Sequence, residues 1–349
     1  MKILAGLLIV FLAGTLAGIV LLPTKFMRKY RFENYWLIYG LVGAVIIPWS
    51  LASASVPHLF HLYSKMPWKV LLLPPIFGLS WGLAAMLCGL CASRIGLSLT
   101  YALVVGAGAS VGSLVPLLFF SIETFRTMAG FFLLFGVAVM IGGLALITHA
   151  GRNRERQSPQ QSTRSSQQEH AVSLSPSKYL LWLITAVFAG SIGAGLNFSF
   201  VFGQPIAVAA QRSGASATNA TYAIWALAML GGMVPNLVYP LVLCVRNNSW
   251  NLFLASPGTD VPLSISMGCL LIGSVALYGL GAVFLGPLGT SVGWGIMQIM
   301  QIVAGNVSGF LTGEWRGANS SVVRWVLIGL GILVLASGLM AFGNYVQAK

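Results

Sequence analysis

The strongest constraint on this chain is the rhythm of its apolar residues. Ten mostly uncharged stretches of roughly 20 residues or more are set apart by polar breaks. They run approximately over 3–23, 34–53, 69–91, 97–120, 128–149, 179–209, 218–245, 263–284, 288–312 and 322–345. About 20 apolar residues in helical form match the thickness of a bilayer's hydrocarbon core, where every backbone polar group must be paired internally. The expectation is an all-α polytopic membrane protein with ten transmembrane helices. Charged residues make up 7% of the chain, against about 25% in soluble domains, which agrees with it.

The first stretch, MKILAGLLIVFLAGTLAGIVLLP, places Lys2 ahead of an apolar run, as a secretory signal does. The run is too long for one, lacks a small-x-small cleavage site and ends in TKFMRKYR, so it reads as the first helix. The net charge of +13 would suggest nucleic acid in a soluble protein. Here the basic residues sort by loop instead. The odd-numbered connections hold 13 of the 19 Lys and Arg residues, among them Lys25, Arg28, Lys29 and Arg31, and the other side holds six. The positive-inside tendency then puts the odd loops in the cytoplasm and both termini outside, with lipid and not nucleic acid as the partner. Cys88 and Cys91, as CGLC within the third stretch, read as small packing residues and not as a metal or redox pair.

One connection is long and polar: residues 151–178, rich in Ser, Gln and Arg, read as a disordered cytoplasmic linker. It separates an N-terminal half, 1–150, from a C-terminal half, 179–349, with five helices each. The halves share patterns. LAGTLAG (12–18) matches FAGSIGA (188–194) at an offset of 176, and GLSLTYALVVGAGASVGSLVP (96–116) matches GTSVGWGIMQIMQIVAGNVSG (289–309) at an offset of 193. An odd number of spans lies between equivalent helices, so the expected arrangement is two inverted five-helix repeats with a substrate site between them near the midplane.

The ninth stretch is the most polar. At 100° per residue, Trp294, Gln298, Gln301, Gly305, Ser308 and Thr312 fall on one stripe, while Asn306 points elsewhere and reads as structural. An aromatic ring followed by amides suits a sugar: the ring packs on its apolar face and the amides exchange bonds with its hydroxyls. Helix-to-helix bonding by the glutamines is the competing reading. Asn197 with Gln204, and Tyr222 with Trp225, Met229, Gly232 and Asn236, form two further stripes. Tyr101 stands opposite Trp294 in the repeat, and Trp81 is a further candidate lining residue. Close packing at glycines permits rocking of the halves, and bulk at Gly112 or Gly305 is expected to slow it.

LLPTKFMRKYRFENYW (21–36), IIPWS (46–50), LLPPIFGLSWG (72–82), RIGLSL (94–99) and LTGEWRGA (311–318) together resemble the L-rhamnose-proton symporter family, a branch of the drug/metabolite transporter superfamily. The resemblance covers most of the chain. It implies a ten-helix carrier of the bacterial inner membrane that moves a deoxy sugar with protons, needing no cofactor beyond the proton as coupling ion. Where members known to us carry amide and tyrosine side chains after the Trp-Gly of the third helix, this chain has LAAMLCGL (83–90).

The acidic residues number six, and none lies at the centre of a stretch. Glu314, just beyond the polar stripe, is the best candidate for a coupling or gating carboxylate, with an ion pair to Arg316 or a nearby cation as the bland alternative. Lys25 and Glu33 could form a second structural or gating pair. Competing functions are export of small amphiphilic metabolites or drugs, and an intramembrane enzyme or receptor. The chain has no HExxH, no paired intramembrane acids and no GxSxG in a suitable context, so neither metal nor catalytic residues are expected.

Overall fold

The computed structural model describes residues 2–157 and 176–347, so 158–175, the body of the expected linker, lies outside the described residues. Every regular element among the described residues is helical. In order these are α1 (Lys2–Gly18), α2 (Phe32–Gly40), α3 (Ile47–Ser55), α4 (Leu59–Lys65), α5 (Trp68–Ile95), α6 (Leu97–Phe120) and α7 (Met128–Gln157). There follow α8 (Pro176–Gly193), α9 (Gly195–Phe202), α10 (Gln204–Arg212), α11 (Thr221–Arg246), α12 (Pro257–Leu285), α13 (Gly289–Leu311) and α14 (Ser320–Gln347).

Nine stretches among these residues are long and apolar enough to cross a membrane. The longest, Pro257–Leu311, has 55 residues; as one helix it would extend about 80 Å, far beyond a bilayer core of about 30 Å. It is two helices, α12 and α13, parted where Gly286 takes φ +79° and Pro287 follows. The chain is therefore a multi-pass helical membrane protein, and each expected stretch has its counterpart.

Two crossings are discontinuous. The second is α2 and α3 joined by a π-turn over Leu41–Ile46, just before Pro48, whose missing N–H cannot close the regular helical ladder. The sixth is α8, α9 and α10, interrupted at Ala194 and Gly203. Both of its interruptions border cavities described below.

Helix α1 packs on α12 and α13, α8 packs on α5 and α6, and α7 pairs with α14. The α5–α11 seam is closest: a Cβ on Gly78 would lie 1.8 Å from the Ala228 carbonyl oxygen, and one on Gly231 1.8 Å from that of Pro75. Only glycine allows the two backbones to approach so nearly. The α1–α2 junction, the α11–α12 junction and the end of α13 meet at one end of the bundle, called the Lys25 end below.

Candidate functional site

Between the halves lies a cavity of about 290 Å³. Its wall carries five aromatic residues, Trp36, Tyr39, Trp81, Tyr101 and Trp294, and four neutral polar ones, Asn236, Ser274, Gln298 and Gln301. Small residues complete it, among them Gly18 of α1, Ala84 of α5, Gly108 of α6 and Gly190 and Gly193 beside the first break in the sixth crossing. Trp81, Tyr101, Trp294, Gln298 and Gln301, all expected from the sequence, thus share one space.

Helix α13 supplies the most polar wall. Trp294 is 4% exposed, and its indole N–H donates to the Gly108 carbonyl at 3.0 Å. Gly112 makes room for that ring, since a Cβ there would lie 2.3 Å from Trp294 Nε1. One turn on, Gln298 makes no hydrogen bond among the described residues. Gln301 stands near the Tyr101 hydroxyl in the wall of the same cavity. Asn236 accepts from Trp36 Nε1 at 3.0 Å and donates to the Gly232 carbonyl at 2.8 Å. Asn306 donates to the Ile302 carbonyl of its own helix at 2.9 Å.

Ser274 of α12 was not singled out by the sequence. Helical Ser and Thr side chains ordinarily bond back to a carbonyl one turn earlier, as Thr15 and Thr148 do here. Ser274 is 1% exposed, lines the cavity, and its hydroxyl has no partner among the described residues. A lone serine in an apolar run carries no signal of this until its neighbours are known.

The other expected site residues stand elsewhere. Asn197 is fully buried; it donates to the Gly112 carbonyl at 2.7 Å and the Thr290 carbonyl at 3.2 Å, and accepts from the Tyr278 hydroxyl. Trp225 stacks on Phe200 with centroids 5.1 Å apart, and Tyr222 packs at the edge of the core. Gln204 lines a second cavity of about 500 Å³ at the end of the bundle opposite Lys25, and donates to the Phe200 carbonyl at 3.1 Å. The polar stripes of the sixth and ninth crossings therefore do not share a single chamber. They border two, with Asn197, Tyr278, Phe200 and Trp225 between them.

The charged candidates pair differently from expectation. Lys25 Nζ lies 2.5 Å from Glu314 Oε1 and 2.5 Å from Thr312 Oγ1, joining the end of α1 to the end of α13. It does not pair with Glu33, which is 3% exposed and accepts from Asn247 Nδ2 at 3.0 Å. Proximity in sequence suggested that pair, but Glu33 opens α2 and turns inward onto the α11–α12 junction. At the same end of the bundle, the fully buried Asp260 carboxylate accepts from the backbone N–H groups of Arg28, Lys29 and Tyr30 at 2.8 to 2.9 Å. Burial, and secondly the Asp260 charge, raise the Tyr30 phenol above its usual range. No Asp, Glu or His is among the residues lining either cavity.

Comparison with known proteins gives this geometry its family. A protein-family model described as L-rhamnose-proton symport protein matches residues 1–345. An L-rhamnose-proton symporter of Pectobacterium atrosepticum is 25% identical over 353 aligned positions, covering 98% of each chain. Proteins of the same name from Citrobacter koseri and Escherichia coli O1:K1 are 24% and 23% identical, covering 92% of each chain. Proteins so described are transporters and not enzymes. A family match over nearly the whole length, on a helical membrane fold with a polar cavity, shows that the chain belongs to the L-rhamnose-proton symport protein family.

Proposed function

We propose that this chain is a secondary carrier that takes up L-rhamnose, or a closely related deoxy sugar, with protons by alternating access. The 290 Å³ cavity, near the lower end of the roughly 300–1,000 Å³ range of small-molecule sites, is the sugar site. The observation that carries this is the unpartnered Gln298 amide in an aromatic wall. A carboxamide in a membrane interior costs a few kcal/mol unless bonded, and sugar hydroxyls supply both donors and acceptors. Gln301, beside Tyr101, offers its amide to the sugar, and Trp294, held by Gly108, presents a ring face to the pyranose.

The rocking elements are two inverted five-helix repeats, as in the drug/metabolite transporter superfamily. Packing supports this. Gly14 sits against the Met297 carbonyl and Met300 Cβ, each 2.5 Å from its would-be Cβ; Gly190 sits against the Val104 carbonyl and Ala107 Cβ at 2.3 and 2.8 Å. Adding the 176-residue offset to Gly14 gives Gly190, and subtracting the 193-residue offset from Met297 and Met300 gives Val104 and Ala107. One contact thus occurs twice between the halves, each time with the glycine on the opposite half.

In the bacterial inner membrane the odd loops face the cytoplasm, so the Lys25 end is cytoplasmic and residues 151–178 link the halves there. The Lys25–Glu314 pair is the gate at that end, and Glu314 is the acid whose protonation releases it. An exporter of amphiphilic metabolites is the second reading, favoured by the five lining aromatic residues and by the lack of a lining carboxylate.

The test is external pH in de-energised cells expressing the protein, on adding L-rhamnose and a panel of other sugars. Alkalinisation specific to a deoxy sugar, lost in Gln298→Leu, supports the carrier. Silence with every sugar, accompanied by resistance to toxic amphiphiles on overexpression, would replace it with the exporter.

A further inference from the structure

The second cavity has features of a binding site in its own right. It is bordered by the last turns of α6, by α9 and α10, and by the start of α11 and of α13. Three of its polar groups are free among the described residues. Gln204 spends its N–H on Phe200 and leaves its carboxamide oxygen open, and the Thr290 and Ser291 hydroxyls bond nothing. Ser291 is 2% exposed, so what little of it is open faces this space. A buried helical hydroxyl such as that of Ser291 ordinarily finds a partner within its own helix.

The chemistry of the wall narrows the ligand. No charged residue lines the cavity, so an ion has nothing to pair with. Phe120 adds an apolar face beside the free hydroxyls and amide. An aromatic surface next to mixed neutral donors and acceptors fits a small polyhydroxylated molecule. It is the same combination as in the first cavity, built from different residues.

The two sites share a helix. From Ser291 to Gln298 is seven residues along α13, a rise of about 10 Å, enough to keep two monosaccharides apart. Between them stand Trp294, clamped to Gly108, and Asn197, tied to Gly112, Thr290 and Tyr278. We infer that the cavity lined by Gln204, Thr290 and Ser291 is a second monosaccharide site, separated from the first by the Asn197–Trp294 partition and occupied at the face opposite Lys25. The inference rests on the sugar-carrier reading above, under which this face is the outer one and the site receives incoming sugar.

Equilibrium binding of radiolabelled L-rhamnose to the purified full-length protein in lipid nanodiscs tests it. The expected stoichiometry is about two sugars per chain, falling to about one in Gln204→Leu, with Ser291→Ala weakening that same site about tenfold. Gln298→Leu removes the other site and leaves this one. Retention of the Gln298 site in the Gln204 and Ser291 variants shows that they are folded. A single site, abolished by Gln298→Leu and indifferent to both other substitutions, overturns the second site and leaves the carrier reading standing. No binding of any sugar by the unaltered protein overturns both.

Discussion

The side-chain amide of Asn197 donates to the backbone carbonyl of Gly112 at 2.7 Å, and that carbonyl is the one Pro116, four residues on in α6, leaves without its helical donor. A proline inside a membrane helix frees a carbonyl that lipid cannot satisfy. Here a residue 85 positions away completes the ladder. Asn197→Ala should therefore cost about 1–3 kcal/mol, from loss of a buried bond and exposure of an unpaired acceptor. In a Pro116→Ala background, which restores the backbone donor, the cost should shrink by about 1 kcal/mol. Thermal unfolding of the four proteins checks this, and equal losses in both backgrounds would show that the two residues act independently.

Gly112 and Gly305, 193 residues apart and matched in sequence, differ in surroundings. A Cβ on Gly112 would meet the Trp294 indole at 2.3 Å, whereas one on Gly305 finds only the Gly18 carbonyl at 3.5 Å. Gly112→Ala should displace Trp294 and cut uptake about tenfold or more, while Gly305→Ala should change stability by no more than about 0.5 kcal/mol. Gly78→Ala and Gly231→Ala, at backbone contacts, should each cost about 3 kcal/mol or more. Uptake and the yield of monodisperse protein separate the three outcomes, and equal behaviour of Gly112 and Gly305 would count against the Trp294 clash.

Ser274 separates binding from folding. Its hydroxyl bonds nothing in the structure, so Ser274→Ala removes a buried polar group without breaking a bond. Stability should stay level or rise slightly. The apparent KM for L-rhamnose should nevertheless rise about three- to tenfold, as expected for one lost hydrogen bond to the sugar. An unchanged KM would remove Ser274 from the site.

Asp260 holds the loop after α1 by three backbone N–H groups. Asp260→Asn offers one acceptor oxygen in place of two charged ones, and should cost about 2 kcal/mol. Trypsin should then cut faster at Arg28, Lys29 or Arg31. Unaltered digestion would mean that the loop is held by other contacts, such as Tyr30 to Phe253.

The Lys25–Glu314 pair has side chains 30% and 46% exposed, in the range where an ion pair adds only about 0–1 kcal/mol. Glu314→Gln should leave thermal stability nearly unchanged. Sugar uptake should lose its dependence on the pH gradient, and a large fall in melting temperature with coupling intact would make the pair structural.

Much of the architecture was legible because the bilayer writes it into composition. The ten apolar stretches, the Gly-rich matches at 176 and 193 residues and the Trp294–Gln298–Gln301 face all follow from hydrophobicity and helical period. What period gives is a direction around a helix, and not the depth or the partner. Gln204 and Gln298 both read as chamber residues, yet a helix break at Gly203 and the α12–α13 turn place them in different cavities. Asn197 read the same way, but its task was set by Pro116 in another helix. Lys25 found its carboxylate 289 residues away and not eight, because helix ends gathered at one face override sequence distance.

The most direct test is accumulation of labelled L-rhamnose in proteoliposomes under an imposed pH gradient, alkaline inside. The account predicts uptake above equilibrium that collapses with a protonophore, is abolished by Gln298→Leu, and survives Asn306→Leu. Uptake that ignores the gradient, or that persists unchanged in Gln298→Leu, would contradict it.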